Sequence, residues 1–288
     1  STPLYSSAAS DVYKRQAYSV GYVSGREAAA VGCNWDFGPV CDLLYNWRNT
    51  IVNTRAYGKD PELVIKNAKA YVRGVRESGL AVCCKHFPGD GIEELDQHLV
   101  MGVNTMECDE WDSTFGHVYK EMIDSGIQSI MAGHIALPEY SRKLRPGIKD
   151  EDIMPATLAP ELITDLLRGK LGFNGLVLTD ASHMAGMTAA MPRSQQVPGA
   201  IAAGCDMFLF FNDIEEDFCY MMDGYRNGII TEERLTDALR RILGLKASLK
   251  LHEKKKKGTL IPEKEGLSVV GCAEHLAMAA EEAKKSIT

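Results

Sequence analysis

Apolar runs rich in β-branched and aromatic residues alternate along this chain with stretches whose apolar residues recur at helical spacing. The apolar runs have the length of strands and are bounded by turn residues, so they predict strands. The predicted strands are residues 32–40, 50–55, 80–87, 127–134, 175–179 and 205–211. Polar side chains lie at or next to the ends of four of them, namely Arg55, Lys85 with His86, His134 and Asp180.

The stretches between the predicted strands have the apolar pattern of amphipathic helices. In the first, Val64, Ala68, Tyr71 and Val75 follow one another at spacings of four, three and four, and Gly79 supplies a stop. The same pattern predicts helices over residues 111–122 and 160–167, after residue 231, and over residues 273–285.

Strand–helix alternation of this repeat length predicts parallel strands with right-handed crossovers, and therefore an α/β barrel or a doubly wound sheet. Polar side chains at the ends of several strands favour the barrel, because the active sites of such barrels gather at the C-terminal ends of their strands. Six strands are predicted, whereas a closed barrel of this type has eight. We therefore expect a (β/α)8 TIM-like barrel that is incomplete at its N-terminus.

Composition divides the chain into three predicted segments. Residues 1–16 lack a starting Met and resemble a translated adapter scar, so this artefactual leader is excluded from the fold. Residues 17–250 form the predicted catalytic barrel. Residues 251–288 contain the lysine run 254–257, and predict a solvated linker and a helix leading into a truncated second domain.

The bulk composition narrows the class of protein further. The 288 residues are 45% apolar, enough for one large core, and 32 basic against 39 acidic residues give a net charge of −7. This acidity argues against a nucleic acid partner, and no apolar run is long enough to cross a membrane. The eight cysteines include no CxxC pair, so we expect small core thiols in a reducing compartment and a cytoplasmic protein, unless an N-terminal signal has been lost.

Two polar segments lie close together after the third predicted strand. In KHFPGDG (residues 85–91), Lys85 and His86 can donate hydrogen bonds to hydroxyl groups, or can simply face water in a loop. Asp96 and His98 follow, and a carboxylate at this spacing can hold one ring nitrogen and leave the other for proton transfer. An exposed surface pair would have the same spacing.

The third candidate is Asp180, at the end of the buried-type strand in GFNGLVLTD (residues 172–180). A carboxylate held rigidly there can attack an electrophilic carbon. The alternatives are a helix N-cap and, less favoured, a metal ligand, since no second carboxylate or histidine cluster defines a cation site. His134 and His183 are left out of the predicted site, because each is as readily structural or exposed as functional.

Together, KHFPGDG, the Asp96–His98 pair and GFNGLVLTD followed by ASHM resemble glycoside hydrolase family 3, and within it the β-N-acetylglucosaminidase branch. The likeness extends over residues 17–251 and includes CNWDFGPVCDLLYN, NTRAYGKDPELV and MPATLAPELITDLLRGKLGF. The resemblance implies that Asp180 is the nucleophile, that His98 is the acid/base and that Asp96 orients it. It also implies that Arg55, Lys85 and His86 bind the sugar.

The branch assignment rests on Asp96-Gln97-His98, a loop that the β-glucosidase and β-xylosidase members lack. The chain departs from the family in two places. The family usually has KHFPGHG, and Asp90 here is expected to change the polarity of the loop without touching a catalytic group. The family's early acidic motif, D-x-E-G-G, is absent and would lie before residue 17.

The resemblance implies a retaining β-N-acetylhexosaminidase that forms a covalent glycosyl–Asp180 intermediate and needs no metal or organic cofactor. Its substrate would be a small carbohydrate ending in N-acetylglucosamine, such as a peptidoglycan fragment (muropeptide) or a chitin oligosaccharide. Three alternatives stay open: another family 3 β-glycosidase, a catalytically impaired sugar-binding fragment, and a barrel lyase or aldolase that uses Lys85 as a Schiff base.

Overall fold

The computed structural model describes residues 5–286, with side chains from residue 14 to 285. The strands are β1 Trp35–Asp36, β2 Ala81–Phe87, β3 Gly102–Val103, β4 Ser129–Ala132, β5 Ile135–Ala136, β6 Leu176–Ala181 and β7 Met207–Leu209. The α-helices are α1 Tyr5–Ala30, α2 Pro61–Arg76, α3 Cys108–Trp111, α4 His117–Asp124, α5 Pro138–Leu144, α6 Ala185–Thr188, α7 Arg193–Ala203, α8 Ile214–Arg226, α9 Glu232–Ser248, α10 Leu251–Lys256 and α11 Ala273–Ser286. Asp112–Gly116 and Glu161–Lys170 are π-helical, and short 3₁₀ turns cover Asp150–Asp152, Ala156–Leu158 and Lys264–Val269.

The main sheet has the strand order β1-β2-β4-β6-β7, and all its pairings are parallel. A separate parallel pair joins β3 to β5. Because every strand of the main sheet runs the same way, the C-terminal ends of β2, β4 and β6 share one edge. The prediction of an α/β fold with a parallel sheet is confirmed, whereas the five strands described in the main sheet do not make a closed eight-stranded barrel.

The two faces of the sheet carry separate apolar clusters. Cys84, Ile130 and Val177 point to the helical side, where they join the large core formed with α2, α4 and the helix 161–170. Their neighbours Cys83 and Met131 point to the opposite face, in a smaller cluster with apolar residues of β1, β6, β7 and α9. Burial on both faces explains why these strands appear in the sequence as continuous apolar runs.

One predicted strand, residues 50–55, is wrong, because this segment is a series of turns. The side-chain Oδ1 of Asn49 accepts the N–H groups of Ile51, at 2.9 Å, and Val52, at 2.8 Å. A side chain that binds the backbone in this way competes with a strand ladder, whatever the β-propensity of the residues that follow.

The other predicted strands exist but differ in length from the expectation. Of residues 32–40 only Trp35–Asp36 is a strand. Beyond it Pro39, which has no N–H to donate, lies beside β2 and accepts from the Lys85 N–H at 3.2 Å. Strand β6 is longer than predicted and includes Asp180.

Helix ends agree with capping chemistry. Asp60 caps α2 by accepting the N–H groups of Glu62 and Leu63, and Thr231 caps α9 by accepting the N–H of Arg234.

The predicted solvated segment after residue 251 contains α10, whose lysines are exposed. The chain then returns to α1, where Glu27 accepts from the Gly271 N–H at 2.9 Å. The three-segment division of the chain stays a prediction.

The eight cysteines are free, and four of them, Cys41, Cys83, Cys84 and Cys205, are buried. These four agree with the prediction of core thiols, whereas Cys33 and Cys219 are exposed. Among the described residues, no helix is both long enough and apolar enough to cross a membrane.

Candidate active site

Asp180 lies at the C-terminal end of β6, with 15% of its side chain exposed. Its Oδ1 accepts the N–H of Ala181 at 2.8 Å, which fixes the carboxylate against the strand that carries it. The N-cap alternative is excluded, because the next helix, α6, begins at Ala185 and is preceded by Met184. A rigid, slightly exposed carboxylate is therefore available at the edge of the sheet.

His86 lies in β2, which is separated from β6 by β4, and its side chain faces Asp180. Its Nε2 lies 3.9 Å from Oδ2 of Asp180, and its Nδ1 lies 2.7 Å from Oδ2 of Asp42. Only 4% of the His86 side chain is exposed, so the sequence alternative in which this residue faces water is wrong. Because a carboxylate oxygen can only accept, the Asp42 contact puts the hydrogen on Nδ1 and leaves Nε2 directed at Asp180.

Asp42 was missed by the sequence analysis. Its side chain is fully buried, and its Oδ1 also accepts the backbone N–H groups of His86, at 3.1 Å, and Asp90, at 2.9 Å. The sequence did contain one indication of this role, because Asp42 directly follows the apolar pair Val40-Cys41. A carboxylate buried beside such residues is expected to have a partner, since charged groups are rarely buried unless they are paired.

Lys85 is half-buried and electrostatically close to Asp180. Burial lowers the pKa of Lys85, and the Arg55 guanidinium lowers it further, while the Asp180 carboxylate opposes both effects. Lys85 therefore does not simply face water. Arg55 itself is exposed on the turn after Asn49, with its NH1 3.5 Å from the Ile51 carbonyl oxygen. Lys85 thus lies near the carboxylate, and Arg55 lies near Lys85.

The Asp96–His98 pair forms as predicted. The Nδ1 of His98 lies 2.7 Å from Oδ1 of Asp96, which also accepts the His98 backbone N–H at 2.8 Å. The side chains of His98 and Asp96 are 52% and 26% exposed, respectively. Asp96 therefore holds one ring nitrogen of an accessible imidazole and leaves the other for proton transfer.

Backbone hydrogen bonds join this loop to the chain just after Asp180. The N–H of Ala185 donates to the His98 carbonyl at 2.9 Å, and the N–H of Gly186 donates to the Gln97 carbonyl at 3.2 Å. The His134 ring lies within electrostatic reach of both the Asp180 carboxylate and the His98 imidazole. The structure thus brings the predicted nucleophile and acid/base to one edge of the sheet.

His134 has a structural role at this edge. Its Nδ1 lies 3.0 Å from Oγ1 of Thr157 and its Nε2 lies 2.9 Å from the Ala181 carbonyl, so both ring nitrogens have protein partners. Burial lowers the pKa of His134, which favours the neutral ring. His183 is exposed and stacks on Phe210, with 6.0 Å between ring centroids.

Asp90 is buried behind the loop that carries Asp96 and His98. Its Oδ1 accepts from Asn49 Nδ2 at 2.8 Å and from the Gly91 N–H at 2.6 Å, and its Oδ2 accepts from Gln97 Nε2 at 3.1 Å. Burial, and then the Asp42 charge, raise the pKa of Asp90 to about 6.

No group of three His, Cys, Asp or Glu side chains that could hold a metal ion occurs among residues that the structure describes.

This chain is similar to known proteins both in sequence and in fold. A β-N-acetylglucosaminidase/β-glucosidase from Cellulomonas fimi is 53% identical over 266 residues, which are 92% of this chain and 46% of that protein. A solved β-glucoside phosphorylase, BglX, is 43% identical with a TM-score of 0.93, covering 98% of this chain and 50% of that one. A family 3 β-N-acetylglucosaminidase from Paenibacillus sp. strain FPU-7 is 27% identical with a TM-score of 0.82, covering 94% and 49%.

The chain therefore spans about half the length of these relatives. Residues 2–245 match the model of the glycosyl hydrolase family 3 N-terminal domain, which is most of the chain and includes each predicted site residue. The resemblance noted in the sequence is confirmed: this chain belongs to glycosyl hydrolase family 3.

Proposed function

We propose that this chain supplies the catalytic domain of a retaining β-N-acetylhexosaminidase that removes terminal β-linked N-acetylglucosamine from muropeptides or chitin oligosaccharides. The observation that carries the proposal is the docking of the Asp96–His98 loop onto the segment after Asp180. The relatives from Cellulomonas fimi and Paenibacillus, both named as β-N-acetylglucosaminidases, support the choice of sugar.

In the first step the Asp180 carboxylate attacks the anomeric carbon of the sugar. The bond from that carbon to the leaving oxygen breaks, and His98 donates its proton to this oxygen. Asp96 stabilises the imidazolium that precedes the transfer. The product is a glycosyl ester on Asp180, and the leaving alcohol departs with the proton.

In the second step His98 takes a proton from water, whose oxygen attacks the anomeric carbon and displaces Asp180. Two inversions at the same carbon give net retention. The His86 ring and Lys85 lie close to the carboxylate and Arg55 lies close to Lys85, and in this proposal the three side chains bind the sugar hydroxyl groups. Asp42 holds His86 in the orientation that this contact requires.

The test compares Asp180→Ala and His98→Ala in the longer polypeptide and in the 288-residue chain. Asp180→Ala abolishes turnover of aryl N-acetylglucosaminides, whereas His98→Ala slows substrates with poor leaving groups far more than activated ones, because only poor leaving groups need a proton. A fluorinated N-acetylglucosaminide should add its sugar mass to a peptide containing Asp180. Equal and mild losses in both variants contradict the mechanism.

His117→Ala is a matched control for His98→Ala. His117 also pairs with a carboxylate, since its Nε2 lies 2.8 Å from Oε1 of Glu62, but this pair lies on the helical side of the domain. Its loss should leave the kinetics unchanged. Borohydride added with substrate tests the lyase or aldolase alternative, which requires a reducible imine on Lys85.

A second candidate activity is phosphorolysis, favoured by the relative named β-glucoside phosphorylase. A phosphate oxygen would attack the anomeric carbon of the glycosyl ester, break its bond to the Asp180 carboxylate and yield a glycosyl phosphate, while the phosphate proton passes to His98. A neutral imidazole repels an incoming anion less than a second carboxylate does. Phosphorus NMR of reactions with inorganic phosphate, on glucosides and N-acetylglucosaminides, separates the two activities.

The proposal extends to a complete (β/α)8 barrel in the longer polypeptide. Among the described residues, β1 and β7 are the two edge strands of the main sheet. Trp35, Phe37, Met207 and Leu209, on the face that carries Cys83 and Met131, are only partly buried. Two open edges and a partly exposed apolar face are what further strands would cover. A structure of the longer polypeptide, showing strands paired to β1 and β7, is the check.

A further inference from the structure

Gln97 is the buried residue of an otherwise accessible loop. Its exposed fraction is 1%, although it lies between Asp96 and His98, whose side chains reach solvent. A buried carboxamide is costly unless both its nitrogen and its oxygen find partners. The position of this side chain is therefore determined by what it binds.

Three hydrogen bonds attach Gln97 to three different parts of the domain. Its Nε2 donates to Oδ2 of Asp90 at 3.1 Å, and its Oε1 accepts the His134 N–H at 3.2 Å. Its carbonyl oxygen accepts the Gly186 N–H at 3.2 Å. These partners follow β2, β4 and β6 in turn, so a single residue ties the loop to the ends of three adjacent strands.

Two glycines pack against this arrangement, and one of them, Gly186, has no room for a side chain. A Cβ on Gly186 would lie 2.6 Å from the Gln97 carbonyl oxygen. A Cβ on Gly133 would lie 3.4 Å from Oε1 of Gln97, and 3.2 Å from Cβ of His86. The close approach at Gly186 is what lets its N–H reach the loop.

We propose that Gln97 is a positioning residue: through Asp90, His134 and Gly186 it holds the loop of His98 at the edge of the sheet that carries Asp180. This deepens the proposed function and rests on it, because it assigns a role to the residue between the acid/base and its carboxylate. Asp90 is fixed by Asn49 and Gly91, and donates its own N–H to Asp42. The same network therefore sets the Asp42–His86 pair and the His98 loop.

The decisive variants exchange the two ends of the Gln97–Asp90 hydrogen bond. Gln97→Glu keeps size and shape but replaces the donor Nε2 with an oxygen that faces the Asp90 carboxylate. The bond is therefore lost at alkaline pH, where both carboxyl groups are ionised, and the measurements are made there. Adding Asp90→Asn restores it with donor and acceptor reversed, since Asn Nδ2 can donate to the new Glu. The Asn Oδ1 still accepts from Asn49 and Gly91.

Two measurements follow these variants. In hydrogen exchange of the 288-residue chain, the amides of Ala185 and Gly186 should exchange at least about ten times faster in Gln97→Glu and return to the wild-type rate in the double variant. In kinetics, kcat/KM for poor leaving groups should fall at least about tenfold more than for activated ones, since the loss acts through the acid/base. Gln195→Glu, an exposed site on α7, should change neither measurement.

The outcomes separate the two proposals. Wild-type exchange in Gln97→Glu, or a double variant no better than the single one, overturns the positioning role. Equal kinetic losses on both substrate types, with His98→Ala still selective, also overturn it, because Gln97 would then only stabilise the fold. A wild-type enzyme that cleaves no glycoside, with or without phosphate, overturns the proposed function, and the positioning role, which rests on it, falls too.

Discussion

The Nε2 of His86 lies 3.9 Å from Oδ2 of Asp180, and Asp42 holds the opposite side of the same ring. The contact connects a buried carboxylate, through an imidazole, to the carboxylate at the reacting edge of the sheet. His86 is thereby kept at a defined angle without direct help from solvent. Any change at Asp42 should therefore affect the edge of the sheet that we propose binds the sugar.

Asp42→Asn tests this relationship. Asn can still accept the His86 and Asp90 backbone N–H groups, but its Nδ2 would face Nδ1 of His86 and reverse the tautomer. We expect kcat/KM to fall by about 10- to 100-fold, the range of a lost orienting partner. Thermal melting measured in parallel should change little, and wild-type kinetics in this variant would contradict the role assigned to Asp42.

Substrate binding should weaken at alkaline pH, as Lys85 loses its charge; this is the alkaline limb of the pH profile of KM. Burial first, and then Arg55, lower the pKa of Lys85. Its charge, and the binding that depends on it, are present below that pKa and lost as pH rises through it. KM should therefore rise at a lower pH than an ordinary lysine would give, and Arg55→Gln should move this limb to higher pH. A limb that does not move indicates another titrating group.

Asp90 should make the domain less stable as pH rises towards neutrality. Burial and the Asp42 charge raise the pKa of Asp90 to about 6, although Gly91, His86 and Asn49 oppose this. A carboxyl group whose pKa is higher folded than unfolded favours folding fully below the unfolded value, and this benefit disappears as pH rises through about 6. The free energy of unfolding should drop by up to about 3 kcal/mol between about pH 4 and pH 6 from this group.

Urea denaturation across this pH range measures the effect. Asp90→Asn, which cannot ionise, should flatten the profile. Asp223→Asn, whose side chain is 60% exposed, should leave the slope as it is. An unchanged slope in Asp90→Asn would assign the titration elsewhere.

Asp206 should be among the most sensitive positions for stability. Its side chain is fully buried and contacts three guanidinium groups, those of Arg168 at 2.7 Å, Arg241 at 3.4 Å and Arg234. Asp206→Asn would leave three partly buried cations without their anion, at a cost of roughly 3–5 kcal/mol in urea denaturation. The exposed pair of Arg240 and Asp237 is the control, and Asp237→Asn should cost no more than about 1 kcal/mol.

The catalytic elements predicted from the sequence were those encoded locally. Asp180 follows a buried strand, and Asp96 and His98 are close enough in sequence to pair without the rest of the fold. The wrong strand at residues 50–55 arose because Thr, Ile and Val favour strands, whereas the deciding interaction is the Asn49 side chain. Local propensity could not reveal it.

Asp42 and Gln97 were missed for a different reason. Each is defined by partners far away in the sequence, since Asp42 binds residue 86 and Gln97 binds residues 134 and 186. A lone Asp or Gln has no periodicity or spacing from which such contacts could be predicted.

The cytoplasmic location and the artefactual nature of residues 1–16 stay predictions.

The two proposed catalytic side chains are anchored by elements of different strength, and this determines how activity should be lost on heating. Asp180 belongs to a strand with parallel neighbours on both sides, while His98 belongs to a loop whose residues 98–100 are exposed. Weakly packed loops open before central strands do. On warming, activity should therefore be lost while circular dichroism still shows an intact sheet. Prompt cooling should restore turnover, because the domain itself has not unfolded.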